Sequence, residues 1–67
     1  MSKFSERLKE LRTERGLTFM QLEKATEIDD SRLFRWENGA IESVCDGLVK
    51  LAQFFNVTVG YLLGIED

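Results

Sequence analysis

The sequence has no histidine, no proline and only one cysteine, Cys45. Without histidine, a zinc site or a Cys/His catalytic pair has too few ligands and no base. A lone cysteine excludes an internal disulfide and fits a reducing cytosol, so a cytoplasmic location is expected. At 67 residues the chain is too short for more than one small domain, taken as 1–67. No window approaches the ~20 consecutive apolar residues of a membrane span. The opening "MSKFSERLKE" lacks the apolar stretch of a signal peptide. Excess positive charge is missing too. The net charge is −3 and the pI about 4.9, which counts against non-specific attraction to nucleic acid. No nucleophile–base pair or metal constellation is visible, so the chain reads as a non-enzyme without metal or cofactor.

The charge is unevenly placed. Residues 1–40 hold eight basic and eight acidic residues, whereas residues 41–67 hold Lys50 against Glu42, Asp46, Glu66 and Asp67. The whole negative excess lies in the C-terminal part, which leaves the N-terminal part free to present a basic face.

The periodicity predicts five short helices and no strand. Phe4, Leu8 and Leu11 form the stripe of a first helix, about 4–15, which Gly16 ends. "TFMQ" reads as a capping box, Thr18 with Gln21, opening a second helix over about 18–25 with Leu22 and Ala25 facing inward. Asp29 is the natural cap of a third helix over about 30–38, with Ile28, Leu33 and Trp36 inward and Gly39 as its stop. Ser43 and Asp46 look like a second capping pair before a fourth helix whose core stripe is Cys45, Leu48, Leu51, Ala52 and Phe55. On that stripe Cys45 would be an inert core thiol. Gly47 within that helix is expected to cost up to ~1 kcal/mol relative to alanine. Thr58 caps a last helix, Val59 to Leu63, closed by Gly64.

Three stretches carry a more specific signal: "RLKELRTERGLT", "SRLFRWENG" and "LVKLAQFFNVTVGYLLG". In this order and spacing the chain from Phe4 to Gly64 resembles the Cro- and lambda-repressor-like regulators of the xenobiotic response element type. The resemblance implies an all-α, compact five-helix bundle with a helix-turn-helix. It also implies binding of double-stranded DNA in the major groove as a homodimer on a palindromic operator. Position by position, the third helix would be the recognition helix. Asp30, Ser31 and Arg35 would reach base edges, with Arg32 beside them. Thr18 and Phe19 would meet phosphate at the start of helix 2, and Asn38 and the backbone after Gly39 would meet the other strand. Arg12 and Glu37 match a structural salt bridge. Val49, Phe54, Val59 and Tyr61 lie where relatives often dimerise, and are read as a dimer or partner surface.

The departures from that pattern are chemical. Phe19 stands for a glutamine that grips phosphate, Met20 is its neighbour, Phe34 replaces a small residue and Glu27 replaces a turn glycine. Phe19, Met20 and Phe34 have three readings: contact with thymine methyls and sugars, packing on one another, or an apolar patch for a protein partner. Asp29 reads as a cap. Asp30 either stabilises the helix end or accepts from a cytosine amino group. Two functions follow. The first is a sequence-specific DNA-binding transcriptional regulator, a phage- or prophage-type repressor acting by occlusion. The second is a protein-interaction module on the same fold, such as an antirepressor.

Overall fold

A computed structural model describes residues 2–41 and 43–66. Five helices follow in order: α1 Lys3–Glu14, α2 Phe19–Thr26, α3 Asp30–Glu37, α4 Cys45–Phe55 and α5 Val59–Leu63. No strand occurs among the described residues. The architecture is an all-α five-helix bundle.

Short helices are marginal on their own, and here four of the five begin with a side-chain cap. Ser2 accepts from the Ser5 amide, Thr18 from Gln21, Asp29 from Ser31 and Thr58 from Tyr61. The Thr18 box is reciprocal: Gln21 Oε1 accepts from the Thr18 amide at 2.9 Å. Each cap satisfies an amide that the helix leaves without an intrahelical partner. At the far end of α3, Gly39 adopts φ +99, a conformation open to glycine at little cost. It lets the Ala40 amide return to the Arg35 carbonyl at 3.0 Å.

The core gathers one face from every helix. Phe4 and Leu8 of α1, Leu22 of α2, Leu33 and Trp36 of α3, Leu51 and Phe55 of α4 and Leu62 of α5 are buried together. The Phe4 and Trp36 rings meet edge to face at 6.0 Å. Leu11 packs against this cluster from a half-buried position. Ser5 is also buried, and its hydroxyl donates to the Trp36 carbonyl at 2.5 Å. That bond ties α1 to the last turn of α3.

Four expectations are corrected. Ala25 is exposed, and the buried residue at the end of α2 is Thr26. Its hydroxyl donates to the Leu22 carbonyl at 2.8 Å and seals the helix end. Ser43 does not cap α4. It takes a left-handed φ of +57, and α4 starts without a side-chain cap. Cys45 is consequently exposed, and Val44 extends the apolar stripe from one turn before Leu48. Asp46, freed from capping, reaches Arg32 instead.

The fourth correction concerns Gly47. A Cβ there would lie 2.8 Å from both Ile28 Cδ1 and the Trp36 ring. The missing side chain is what lets α4 close over α3, so its helix-propensity cost is outweighed by packing. Gly47→Ala should therefore destabilise the fold by about 1–3 kcal/mol through overpacking. Thermal or urea unfolding checks this, and a more stable variant would contradict the packing assigned to Gly47.

Candidate nucleic-acid interface

α2 and α3 are joined by a three-residue connection, 27–29. Glu27 stands in the left-handed region at φ +62 and its amide bonds the Glu23 carbonyl. A glycine adopts this conformation without steric cost, whereas glutamate is strained in it. The turn holds α3 against both α1 and α2 while leaving one α3 face open. Ser31, Phe34, Arg35 and Asn38 are all exposed on it.

The position of α3 is set by a buried ion pair. Arg12 Nε donates to Glu37 Oε2 at 2.6 Å and Arg12 Nη2 to Oε1 at 3.1 Å. The Glu37 side chain is only 3% exposed. Arg12 Nη1 also donates to the Leu17 carbonyl at 2.8 Å. One guanidinium therefore holds α1, the α1–α2 turn and the C-terminal turn of α3 together. It also lies 4.1 Å above the Phe19 ring. Phe19 in turn meets Phe34 edge to face, with ring centroids 5.7 Å apart. Phe19 and Phe34 thus pack on one another, one of the three readings of the apolar departures, while part of the Phe34 ring stays exposed. Met20 is 62% exposed and Phe34 54%. Lys9, Arg12, Phe19, Phe34, Glu37 and Asn38 line a shallow groove of about 260 Å³.

The N-terminal end of α3 is acidic. The Glu23, Asp29 and Asp30 carboxylates lie within 4.8 Å of one another, and Glu23 Oε1 accepts from the Asp30 amide at 2.9 Å. The two aspartates diverge. Hydrogen bonds from the Ser31 amide and then its hydroxyl hold Asp29 below the usual carboxylate range. Partial desolvation, then a hydrogen bond with Asp29 and the charges of Glu23 and Asp29, push Asp30 above it. The sequence carries no local signal for Glu23, which lies seven residues before Asp30 and is brought there by the turn.

Arg32 is not brought to the open face with Ser31 and Arg35. Its guanidinium turns toward α4, donating to the Ser43 carbonyl at 3.3 Å and to Asp46 at 3.4 Å, and lies 5.1 Å over the Trp36 ring. The Arg35 guanidinium makes no hydrogen bond or salt bridge among the described residues, only a longer-range pull on Asp29. The Thr18 hydroxyl is occupied in its own capping box. Asn38 Nδ2 donates to the Phe34 carbonyl at 2.8 Å, and Gly39 is exposed.

The four apolar C-terminal candidates also separate. Phe54 and Val59 pack against the core. Tyr61 lies beneath the Arg7 guanidinium at 4.2 Å. Val49 is 56% exposed. Leu63 and Ile65, which the sequence reading did not select, are exposed as well.

Residues 5–66 match the model of a helix-turn-helix domain family. The chain belongs to that family. A helix-turn-helix relative, the HTH-type transcriptional activator BcrR of Enterococcus faecalis, is 33% identical over 64 residues. That match covers 96% of this chain but 31% of BcrR, so the chain spans about a third of this relative. No described helix is long and apolar enough to cross a membrane.

The helix-turn-helix geometry depends on Glu37 keeping its partner. Glu37→Ala leaves the mostly buried Arg12 without its counter-charge and should cost about 3 kcal/mol. Chemical denaturation measures this. A loss within the range of an exposed pair, below about 1 kcal/mol, would show that Arg12 does not need Glu37.

Proposed function

We propose that this helix-turn-helix chain is a sequence-specific DNA-binding regulator of transcription that acts in the cytoplasm. The observation that carries this reading is Arg35. It is an exposed arginine in the last turn of α3 whose side chain makes no hydrogen bond or salt bridge among the described residues. It stands on a helix whose position is fixed by the Arg12–Glu37 pair. Arginine presents two parallel donors to guanine O6 and N7, the commonest specific contact in the major groove. Ser31 is exposed on the same face and adds a second polar contact. Lys9, exposed beside the groove, and the backbone around Gly39 suit phosphate. Arg32 is assigned to bracing α4, not to base reading.

In the finer reading, 1–67 is a single domain that binds a palindromic operator as a homodimer. The two α3 helices enter successive major grooves ~34 Å apart. Val49, Leu63 and Ile65 offer exposed apolar surface for the partner copy. Repression by occlusion requires nothing beyond occupancy of the site, whereas BcrR is an activator. A reporter with the selected site overlapping the promoter, compared with one upstream of it, reads the sign of regulation.

A second reading, a protein-interaction module, is favoured by the three carboxylates at the start of α3 and by the exposure of Met20 and Phe34. Selection from random duplex DNA separates the two. The DNA-binding reading expects enrichment of a two-fold symmetric site and a log–log salt slope near −0.9 per neutralised phosphate. A chain that enriches nothing is not a sequence-specific binder.

Two variants extend the test. Arg35→Ala should relax preference at one base pair per half-site, at about 1–3 kcal/mol. Uniform weakening of all sequences would make Arg35 a phosphate contact. Asp30→Asn removes a negative charge facing the DNA and should strengthen binding. Because the Asp30 carboxyl lies above its ordinary range, lowering the pH from neutrality protonates it early and reduces repulsion of phosphate. Wild-type affinity should then rise with acidification more than that of Asp30→Asn. Parallel pH profiles would place Asp30 away from the DNA.

A further inference from the structure

We propose that the Phe34 ring reads a thymine methyl group in the major groove and is a specificity-determining residue of α3. The inference rests on the DNA-binding reading and goes beyond it by naming the base and the contact. Phe34 is a large aromatic residue left 54% exposed, yet its ring is braced. It stands edge to face on Phe19 at 5.7 Å and 73°. The Phe19 ring is covered by the Arg12 guanidinium at 4.1 Å, and Arg12 is held by two bonds to buried Glu37. The result is a chain of contacts from a buried carboxylate out to an exposed ring. Such an edge loses little conformational freedom when it is covered.

The thymine C5-methyl is the apolar feature that base edges display in the major groove, while other positions display donors and acceptors. A phenyl ring has no hydrogen bond to offer. Against a purine N7 or a cytosine amino group it would displace water without replacing its bonds, which is unfavourable. Against a methyl group it buries apolar surface and loses nothing. Phe34 therefore selects both for thymine and against the alternatives. Its place in α3 also fixes where that thymine lies. Phe34 precedes Arg35 directly, and neighbouring helical residues are ~1.5 Å apart along the axis. Their side chains diverge by ~100° around that axis and base pairs are ~3.4 Å apart, so the thymine falls within about two base pairs of the one read by Arg35.

The test is an atomic substitution on the DNA side. The full chain is used to select its site, and each thymine of one half-site is replaced in turn by deoxyuridine, which lacks only the methyl. Wild type should bind about three- to fourfold more weakly at one such position, the value of one buried methyl-sized group. That position should lie within about two base pairs of the one relaxed by Arg35→Ala. Phe34→Ala should bind the thymine and uracil sites equally there, and Phe34→Leu should retain part of the discrimination. If wild type tolerates every uracil, or if Phe34→Ala stays as sensitive as wild type, the proposal is overturned while the enriched site and its salt slope still stand. If no site is enriched at all, the proposal falls together with the DNA-binding reading.

Discussion

The arrangement depends on one guanidinium. Arg12 reaches from α1 to both carboxylate oxygens of Glu37 and to the Leu17 carbonyl. A carboxylate as buried as Glu37 is unfavourable unless it is paired. The pair therefore specifies more than it stabilises: α3 must sit where Glu37 can meet Arg12, and the α1–α2 turn must bring its carbonyl to the same place. Once those are set, the Ser5 hydroxyl finds the Trp36 carbonyl and α4 closes over Trp36 at Gly47. The outward face of α3 is a consequence of what its inward face has to satisfy.

The same logic explains the unexpected distribution of positive charge. The N-terminal part has enough arginine to suggest a basic surface, but the arginines of α1 and of its C-cap bond to the protein itself. Arg7 donates to the carbonyls of Tyr61 and Glu66. Arg12 holds Glu37. Arg15 donates to the carbonyls of Phe54 and Phe55 at the end of α4, where a cation complements the helix dipole. Arg32 bridges to Asp46. A count of charges along the chain does not distinguish an arginine that closes a helix from one that faces solvent, so the reading of a basic face was too generous. What faces outward from α3 is mainly Arg35.

The sequence made local and periodic features legible, and these gave most of the fold. The caps at Thr18, Asp29 and Thr58 and the stop at Gly39 are short-range patterns with one physical solution each. Where the chain departs from the reading, a long-range contact decides. Ser43 and Asp46 had capping chemistry, but Asp46 is drawn to Arg32 and the helix starts differently. Gly47 is a weak helix former by local propensity, but Trp36 lies against it and leaves no room for a side chain. Ala25 and Thr26 exchange places because the Thr26 hydroxyl can be satisfied within its own helix. For the candidate interface, the sequence pointed to α3 but not to the acids gathered from two helices, nor to the turn of Arg32 away from Arg35. Those depend on how α2 and α4 approach α3, and no spacing along the chain encodes them.

The acids at the start of α3 need not oppose a DNA-reading role, because charge and base contacts act on different quantities. Repulsion between phosphates and Glu23, Asp29 and Asp30 weakens binding to every sequence alike. Contacts from Arg35 and Phe34 would strengthen only the sequences that carry the matching bases. A net charge of −3 lowers the non-specific background, and a regulator is judged by the ratio of specific to non-specific affinity. On this view the apolar ring and the carboxylates belong to one design. Both remove general attraction to the DNA backbone, and both leave recognition to a small set of base-edge contacts on a helix that cannot shift while Arg12 holds Glu37.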